Sequence, residues 1–490
     1  MGASIALYDV VGCASLKQLH PLFGHTSAEQ VIAWRDSAAV KAATFLRDVY
    51  ALIPALPHTQ HIFNDCQDRY RFSVVLCAAI VAGKITLLPS TRAAETIHQL
   101  QLFAPDVACV TDQQDCAIAL PQTLFPPDEF FKNSTAHSFV ESPFAVPQID
   151  ADQIIAYVFT SGSTGLPIGH CKKWGSLVRN VQAEARQFGL VSGSEYYVVG
   201  TVPAQHMFGF ESTVLMPLVN GFALTSARSF YPADICQSLM QLPEARILIT
   251  TPIHLRSLLG AQLTLPKIEL IVSATAQLSL QLANEAEQMF DTSLHEIYGS
   301  TETGQIASRR PTKSPEWMLF PTLAMSPSTP EDANNERNNG DGNDTRMWIS
   351  GGHVEPAMPM NDVLEITSER HFLLHGRISD LINIAGKRSS LASLNHHLNA
   401  IPGVQDGAFY MPHEKNNGEV TRLKAVVVAP DLTNAQIISA LREKIDHAFM
   451  PRPLYKVAQL PRNGTGKLPQ SALDELIRTL VASNDSSRSA

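Results

Sequence analysis

From residue 157 to 170 the chain reads YVFTSGSTGLPIGH, so Thr160, Ser161, Gly162, Ser163, Thr164 and Gly165 crowd hydroxyls and glycines into one turn. Glycines let backbone N–H groups converge on an anion, and small hydroxyls add donors at little steric cost, which suits a phosphate. The stretch lacks the Lys-Ser/Thr pair of the G-x-x-x-x-G-K-[ST] loop, because Thr164, Gly165 and Leu166 follow Ser163. The standard nucleotide-triphosphatase loop is therefore excluded. On composition alone, an anion cradle and an ordinary polar turn both stand.

Three further stretches follow in order: YGSTETG over 298–304, HGRISDLINIAGKRSS over 375–390, and LPRNGTGKLPQSAL over 460–473. Positioning them calls for an alternating α/β framework. Up to about residue 300, short β-rich segments alternate with longer helical patterns, as in KITLLPS, TRAAETIHQLQLF and DVACVTD, and again in RILITT, PIHLRSLLGAQL and IELIVSA. The run VVLCAAIVAG stops at Lys84, too short to cross a bilayer, and reads as a buried helix.

At 490 residues the chain exceeds what one hydrophobic core serves, so two or more domains are expected. The last hundred or so residues read as a separate small α+β unit. LKAVVVAP is a strand, and Thr433 with Gln436 forms a capping-box pattern before a helix whose Ile437, Ile438, Leu441 and Ile445 share a face. A second helix begins near Pro469, with Leu473, Leu476, Ile477, Leu480 and Val481 at helical spacing. These apolar residues are core rather than site, and the tail SNDSSRSA is expected to be disordered. Residues 327–344, PSTPEDANNERNNGDGND, read as an exposed insertion in preference to an interdomain linker, since the marked stretches continue across them.

Composition bounds the partners. Hydrophobic residues at 45% and charged residues at 17% exclude wholesale disorder, and a formal net charge of −9 argues against nonspecific binding to nucleic acid or anionic membranes. Seven cysteines, odd in number and never spaced Cys-x-x-Cys, suggest neither a disulfide framework nor a zinc site. The start MGASIALYDVVGCASL lacks a basic segment before its apolar stretch, and Ala6 stands where a myristoylation signal wants Ser or Thr. A cytoplasmic location is expected, with small-molecule or protein partners, no nucleic acid and no membrane insertion.

The four stretches in this order resemble the adenylate-forming superfamily of acyl-CoA synthetases, stand-alone nonribosomal adenylation domains and luciferase-like enzymes, over nearly the whole chain. The resemblance implies an α/β fold: a large N-terminal adenylate-forming domain of α/β subdomains, residues 1–377, and a small mobile α+β C-terminal domain, residues 378–490. It also implies an ATP- and Mg²⁺-dependent ligase. A carboxylate and ATP would give an acyl-adenylate and pyrophosphate, and a pantetheine thiol of coenzyme A or an acyl carrier protein would then displace AMP.

Site roles follow from the same resemblance. Thr160 to Gly165 would cradle the β- and γ-phosphates, although Ile168 occupies the place after Pro167 where relatives carry lysine, leaving Lys172 or Lys173 as a replacement. Thr301 would contact the α-phosphate and Glu302 would bind Mg²⁺, a hard cation suited to carboxylate oxygens. Ala274, Thr275 and Ala276 would leave room for adenine, with Tyr298 stacking on it. Asp362, fifteen positions before Arg377, would hold the ribose despite Asn361 replacing the usual glycine, and Arg377 would add charge-assisted donors near ribose and phosphate. Lys467, between Gly464, Gly466 and the following helix, is implied as the principal catalytic residue, its ammonium meeting charge that builds between carboxylate and phosphate. His206 and Phe208 would lie beside the carboxylate pocket as a gate to the thiol tunnel. The hinge falls at Ser379, where relatives carry Asp or Lys, next to Asp380, and rotation about it would bring Gly386 against pantetheine. The bland alternatives are a packed core histidine at 206, an Arg–Asp surface pair at 362 and 377, and a solvated loop lysine at 467.

A finer likeness concerns the acid. TETGQIASRR, the tryptophan soon after it in SPEWMLFPTLAMS, and the short N-terminal domain are similar to ligases of bacterial aryl-polyene or xanthomonadin pigment pathways, which load hydroxybenzoate-type acids onto an acyl carrier protein. A fatty-acyl or general acyl-CoA synthetase is the second reading. A non-catalytic nucleotide- or carrier-binding relative is the third, motivated by Ile168, Asn361 and Ser379.

Overall fold

In the strand Arg246–Thr250, Ile247 and Ile249 enter one core while Leu248 enters another, and in Tyr197–Gly200 Val198 is likewise separated from Tyr197 and Val199. A period of two with both faces apolar is what a sheet covered on both sides demands. The computed structural model describes residues 17–488 apart from residue 90 and residues 134–143, 162–166, 328–345, 378–380, 385–386, 413–421 and 463–467.

The larger sheet has eleven strands. Its centre is parallel, in the order Ser293–Ser300, Leu270–Ser273, Arg246–Thr250, Tyr197–Gly200, Ala223–Thr225 and Val31–Arg35, and antiparallel strands extend both edges. A second sheet runs Pro167–Lys173, Ile154–Ser161, Ile85–Leu88, His61–Asn64, Ala108–Thr111 and Gln122–Leu124, parallel except for its first member. Between the sheets lies a shared core that takes Val158 and Ile155 from one and Val198 and Val272 from the other. The helix Arg69–Val81, buried from Phe72 through Ile80, fills that layer and contains the apolar run read as a buried helix. The α/β class expected from the alternating segments is the class observed.

One charged group sits inside this layer. The Arg69 guanidinium donates to the carbonyls of Gly200, Val202, Thr225 and Ala227 and to the Thr213 hydroxyl at 3.0–3.1 Å. Burial lowers its pKa to about 10, which leaves it cationic near neutrality. Five acceptors offset the desolvation, so Arg69 pins the carboxyl ends of two neighbouring strands.

Towards the C-terminus, Asp406–Tyr410, Lys424–Val428 and Leu454–Lys456 form a three-stranded sheet with a core on each face. The helices Leu391–Asn399 and Asn434–Arg442 cover one face with Leu394, Leu398, Ile437 and Leu441, and the helix Gln470–Arg488 covers the other with Leu473 and Ile477. Thr433 and Gln436 close the expected capping box, each backbone N–H donating to the other's side chain. Two expectations need correction. The first of the helices read from the sequence ends at Arg442, so Ile445 reaches the core from the following turn, its N–H held by the Leu441 carbonyl at 2.9 Å. The tail expected to be disordered continues as helix through Arg488, because a helix nucleated by a buried face gains a hydrogen bond for each residue added.

The polar stretch 327–344 lies, beyond Pro327, outside the described residues. Its flanking strands Leu323–Pro327 and Met347–Gly351 pair antiparallel with Pro327 opposite Met347, so the chain on either side of it belongs to one sheet. Among the described residues no helix is long and apolar enough to cross a membrane.

Candidate active site

In open α/β sheets the crevice beyond the carboxyl ends of parallel strands is where ligands bind. Three of the predicted segments lie beyond such ends in the larger sheet. Leu270–Ser273 leads into Ala274, Thr275 and Ala276, where Thr275 holds a φ of +79°, a left-handed conformation that a β-branched residue adopts only under constraint. Ser293–Ser300 leads into Thr301 and Glu302. Tyr197–Gly200 leads towards His206, half-buried before the short helical turn Met207–Gly209, its carbonyl accepting from the Phe210 N–H at 2.7 Å. Phe208 is buried in the core between the sheets.

Beside them stands the hairpin Asp362–Ser368 and His371–Arg377, in which Asp362 lies directly opposite Arg377. The fifteen-residue interval in the sequence is thus the reach of one hairpin. The Tyr298 hydroxyl donates to Asp362 Oδ2 at 2.5 Å, and its ring packs against Trp317 and Phe372 with centroids 5.5 and 5.8 Å away. Tyr298, Asp362 and the Arg377 backbone therefore form one cluster, while the Arg377 side chain lies outside the described set.

The second sheet contributes from across the crevice. Ile154–Ser161 ends at the glycine and hydroxyl turn, and Pro167–Lys173 returns antiparallel with Ile168 opposite Thr160. The two strands pair on either side of the turn, whose Gly162, Ser163, Thr164 and Gly165 lie outside the described residues, as does the Ser161 side chain. Ile168, His170 and Lys172 alternate onto one face of the returning strand. His170 Nε2 lies 2.9 Å from the Thr160 hydroxyl and 3.7 Å from Glu302 Oε1. Lys172 is buried and donates to the Thr301 carbonyl and, at 3.4 Å, to that of Glu302. Lys173 points outward to Asp152 at 2.9 Å. Of the two lysines suggested as replacements for a cation at 168, one is clasped under the 301–302 turn and the other is on the far surface.

The turn itself is self-braced. The Ser300 and Thr303 side chains each accept from the other's N–H, at 3.2 and 3.3 Å. Gly304 has a φ of +72°, and a Cβ there would meet Asn180 Nδ2 at 2.4 Å and Glu211 Oε1 at 2.8 Å. No side chain fits. Burial pushes the Glu302 carboxyl up, but its own N–H, the Ser300 hydroxyl, His170 and Lys172 outweigh this and hold it below its ordinary value. Burial lowers the His170 pKa, and Lys172 lowers it further against the pull of Glu302. A one-third-exposed anionic carboxylate beside a hydroxyl-bearing hairpin offers hard oxygen donors, a set that fits Mg²⁺.

Beneath the turn lies a buried polar layer. Glu184 of the helix Trp174–Gln187 and Glu211 of the π-helical segment Phe210–Leu215 are both fully enclosed; burial raises the Glu184 carboxyl to about 8, and it pushes the Glu211 carboxyl up against the opposing pull of Lys172. Asn180 donates to Glu211, whose charge is supported by Lys172. Gln305, with its amide turned to satisfy both neighbours, donates to Glu184 at 3.3 Å and accepts from Ser212 at 2.7 Å. Two adjacent buried carboxylates repel, so Glu184 is neutral and Glu211 pairs with the lysine.

Lys467, Ser379, Asp380 and Gly386 lie outside the described residues. Arg462, at the entry to the lysine loop, forms a bidentate pair with Asp406, both bonds 2.7 Å, and Asp406 and Arg462 also act on Arg256 of the helix Pro252–Gly260. The six described cysteines are free. Three-dimensional proximity gathers donor atoms of Asp65, Cys109 and Cys116 within 4.8 Å, a grouping that spacing along the chain does not reveal. Arg92 already neutralises Asp65 at 2.6 Å, and burial pushes the Cys109 thiol well up.

His170, Arg69, Glu184 and Glu211 escaped the sequence reading, and Lys172 entered it only as a replacement for the cation missing at 168. The available signal was the period-two placement of His170 and Lys172 just after the marked turn; nothing local distinguished the other three.

The family model described as AMP-binding enzyme matches residues 22–331. A 4-coumarate–CoA ligase of Rhodobacter capsulatus is 31% identical over 287 residues, 59% of this chain and 66% of that protein. A 4-chlorobenzoate–CoA ligase of an Arthrobacter species is 24% identical, covering 66% of each chain. The chain thus spans about two thirds of the length of these relatives. The o-succinylbenzoate coenzyme A synthetase of Bacillus subtilis, solved with ATP and magnesium ion, shares the fold with a TM-score of 0.71 at 18% identity, over 90% of this chain and 95% of that one.

Two outcomes follow from the buried layer. Gly304→Ala will lower stability by about 2–3 kcal/mol, from left-handed strain and the clash with the Asn180–Glu211 pair, read as a drop in Tm. Between pH 4.5 and 8 folded Glu184 retains a proton that the unfolded chain releases, so stability falls as pH rises through that window by up to about 1.4 kcal/mol per pH unit. Glu184→Gln should flatten this slope in denaturant titrations at pH 5, 6, 7 and 8; an unchanged slope would show Glu184 ionised when folded.

Proposed function

The chain belongs to the AMP-binding enzyme family, and on that premise we propose that it is an ATP-dependent, AMP-forming carboxylic acid–thiol ligase. A carboxylate is a poor electrophile because its leaving group would be oxide. In the proposed reaction a carboxylate oxygen attacks the α-phosphorus, the bond to the bridging oxygen breaks, and pyrophosphate leaves. A thiol then attacks the acyl carbon, loses its proton, and expels AMP. Such chemistry asks for positioning and for charge placed where charge develops.

The observation that carries the reading is the line of polar groups from Thr160 through His170, 2.9 Å from its hydroxyl, to Glu302, 3.7 Å further on, which brings the carboxyl ends of both sheets together at one crevice. In the proposal, Thr160 to Gly165 bind the terminal phosphates and Thr301 the α-phosphate. Glu302 would hold Mg²⁺, which supplies charge neutralisation of the triphosphate when bound. Ala274, Thr275, Ala276 and Tyr298 border the adenine, and Asp362 and Arg377 take the ribose. His206 and Phe208 flank the acid. Residues 378–490 form a mobile domain that delivers Lys467 for adenylation and Gly386 for thiol transfer, turning at Ser379.

We further propose an aromatic, hydroxybenzoate-type acid and an acyl carrier protein as acceptor. The relatives named for coumarate and chlorobenzoate support an aromatic acid. Their names also favour coenzyme A as the acceptor, which is the second reading.

Acid-dependent ATP–pyrophosphate exchange across hydroxybenzoates, cinnamates and fatty acids is expected to be fastest with an aromatic acid, and silence with every acid at saturating Mg·ATP would overturn the ligase reading. Product analysis with holo-carrier protein and coenzyme A in competition decides the acceptor. Lys467→Ala should slow adenylation on the order of a hundredfold or more, about 3–4 kcal/mol, while transfer from a supplied acyl-adenylate is largely retained. Equal loss in both steps would remove Lys467 from its assigned role.

A further inference from the structure

One heavily enclosed cation near the candidate site lies not on the loop that resembles a phosphate cradle but on the strand leaving it. Lys172 is 7% exposed, and its ammonium donates to two consecutive carbonyls, Thr301 and Glu302, 129 and 130 residues away. A buried ammonium needs a counter-charge, and the nearby acids are Glu211 from below and Glu302 from above. Glu211 is itself held by Asn180, and Gly304 at the end of the turn packs directly on that pair. The turn therefore rests on a floor built from three separate elements: the strand Pro167–Lys173, the helix Trp174–Gln187 and the segment Phe210–Leu215.

We propose that Lys172, with Glu211 as its buried counter-ion, is a positioning residue that fixes the turn carrying Thr301 and Glu302 for divalent-cation·ATP binding. The inference rests on the reading of that turn as a nucleotide and metal site. Its physical content is orientation. Ammonium donation to the carbonyls of residues 301 and 302 fixes both peptide planes, and with them the direction of the Glu302 side chain. The exposed apolar Ile168 leaves the solvent end of the same strand face without a charge, so the fixed cation of this face sits at its inner end.

The test uses the full-length protein and two readouts. Mn²⁺·ATP binding is followed by electron paramagnetic resonance of Mn²⁺, and ATP–pyrophosphate exchange is followed against Mg²⁺ and against the acid. Lys172→Met should weaken Mn²⁺·ATP binding and raise the Mg²⁺ requirement on the order of 10–100-fold, with the KM for the acid unchanged. Glu211→Gln, which keeps an acceptor for Asn180 and removes only the charge, should do the same in part. The double variant should lose little beyond Lys172→Met, since the two act as a unit. A purely structural lysine would lower Tm while leaving Mn²⁺·ATP affinity per folded molecule at the wild-type value, and that result overturns the proposal. Wild-type protein that binds Mn²⁺·ATP yet exchanges with no acid would sink the ligase reading while still testing this one. Wild-type protein that binds no Mn²⁺·ATP would overturn both.

Discussion

Everything in the candidate site depends on one contact between two sheets: the returning strand Pro167–Lys173 laid against the turn that follows Ser293–Ser300. Each sheet has its own outer core, and apolar packing in the shared layer holds them together without specifying how loop ends face one another across a crevice. Directional bonds supply that specification. Lys172 fixes the distance and the rotation at once through the Thr301 and Glu302 carbonyls, and His170, bonded to Thr160, faces Glu302 at 3.7 Å. A hydrogen bond to a charged group is worth about 1.5–3 kcal/mol, and leaving such a group unpaired in the interior costs at least as much, so a slipped arrangement is penalised from both sides.

The charges at this seam are set by burial more than by residue type. His170, between a lysine and a carboxylate, is held below its ordinary value, and Glu302 is held below its own despite partial enclosure. One layer down, burial keeps the Glu184 carboxyl protonated, which lets Glu211 face Lys172 without a second anion beside it. The result is a gradient in which a neutral group lies deepest, an ion pair lies above it, and the one-third-exposed Glu302 carboxylate sits at the crevice. On the proposed reading, a carboxylate positioned this way is anionic where a metal-bound phosphate would arrive, and its supporting shell has no reason to move when that happens.

The parts of this arrangement that could be read in the sequence are those whose signal is local. The buried helix appeared as an unbroken apolar run, the capping box as Thr433 and Gln436 three apart, and the Asp362–Arg377 pair as a fixed interval that a hairpin turns into adjacency. Nothing local in YGSTETG shows why its last residue is glycine. Gly304 is small because Asn180 and Glu211 stand against it, residues more than ninety positions upstream. Lys172 was legible only as a spare cation, since its partners are backbone carbonyls, which every residue has and no pattern marks. Glu184 reads in sequence as the polar side of an amphipathic helix, and only the placement of Gln305 and the segment Phe210–Leu215 makes it interior. The helical tail escaped for the opposite reason, because local polarity argued for disorder and propagation from a buried face prevailed.

On the proposed reading, this floor explains how the chain tolerates Ile168. A lysine at the hairpin tip would be a mobile charge that must be ordered with each nucleotide, at the cost of its side-chain entropy. A lysine four residues further along the same strand, already clasped by two carbonyls and a carboxylate, has lost that freedom at folding and loses none at binding. What such a cation gives up is reach: it cannot touch the terminal phosphates and acts only through the turn it holds. Reach then has to come from another element, in the proposal the loop that bears Lys467, which Arg462, paired with Asp406, immediately precedes. A fixed cation below and a delivered one above divide between them what a tip lysine would do alone, and the division puts the adaptable charge on the element proposed to move.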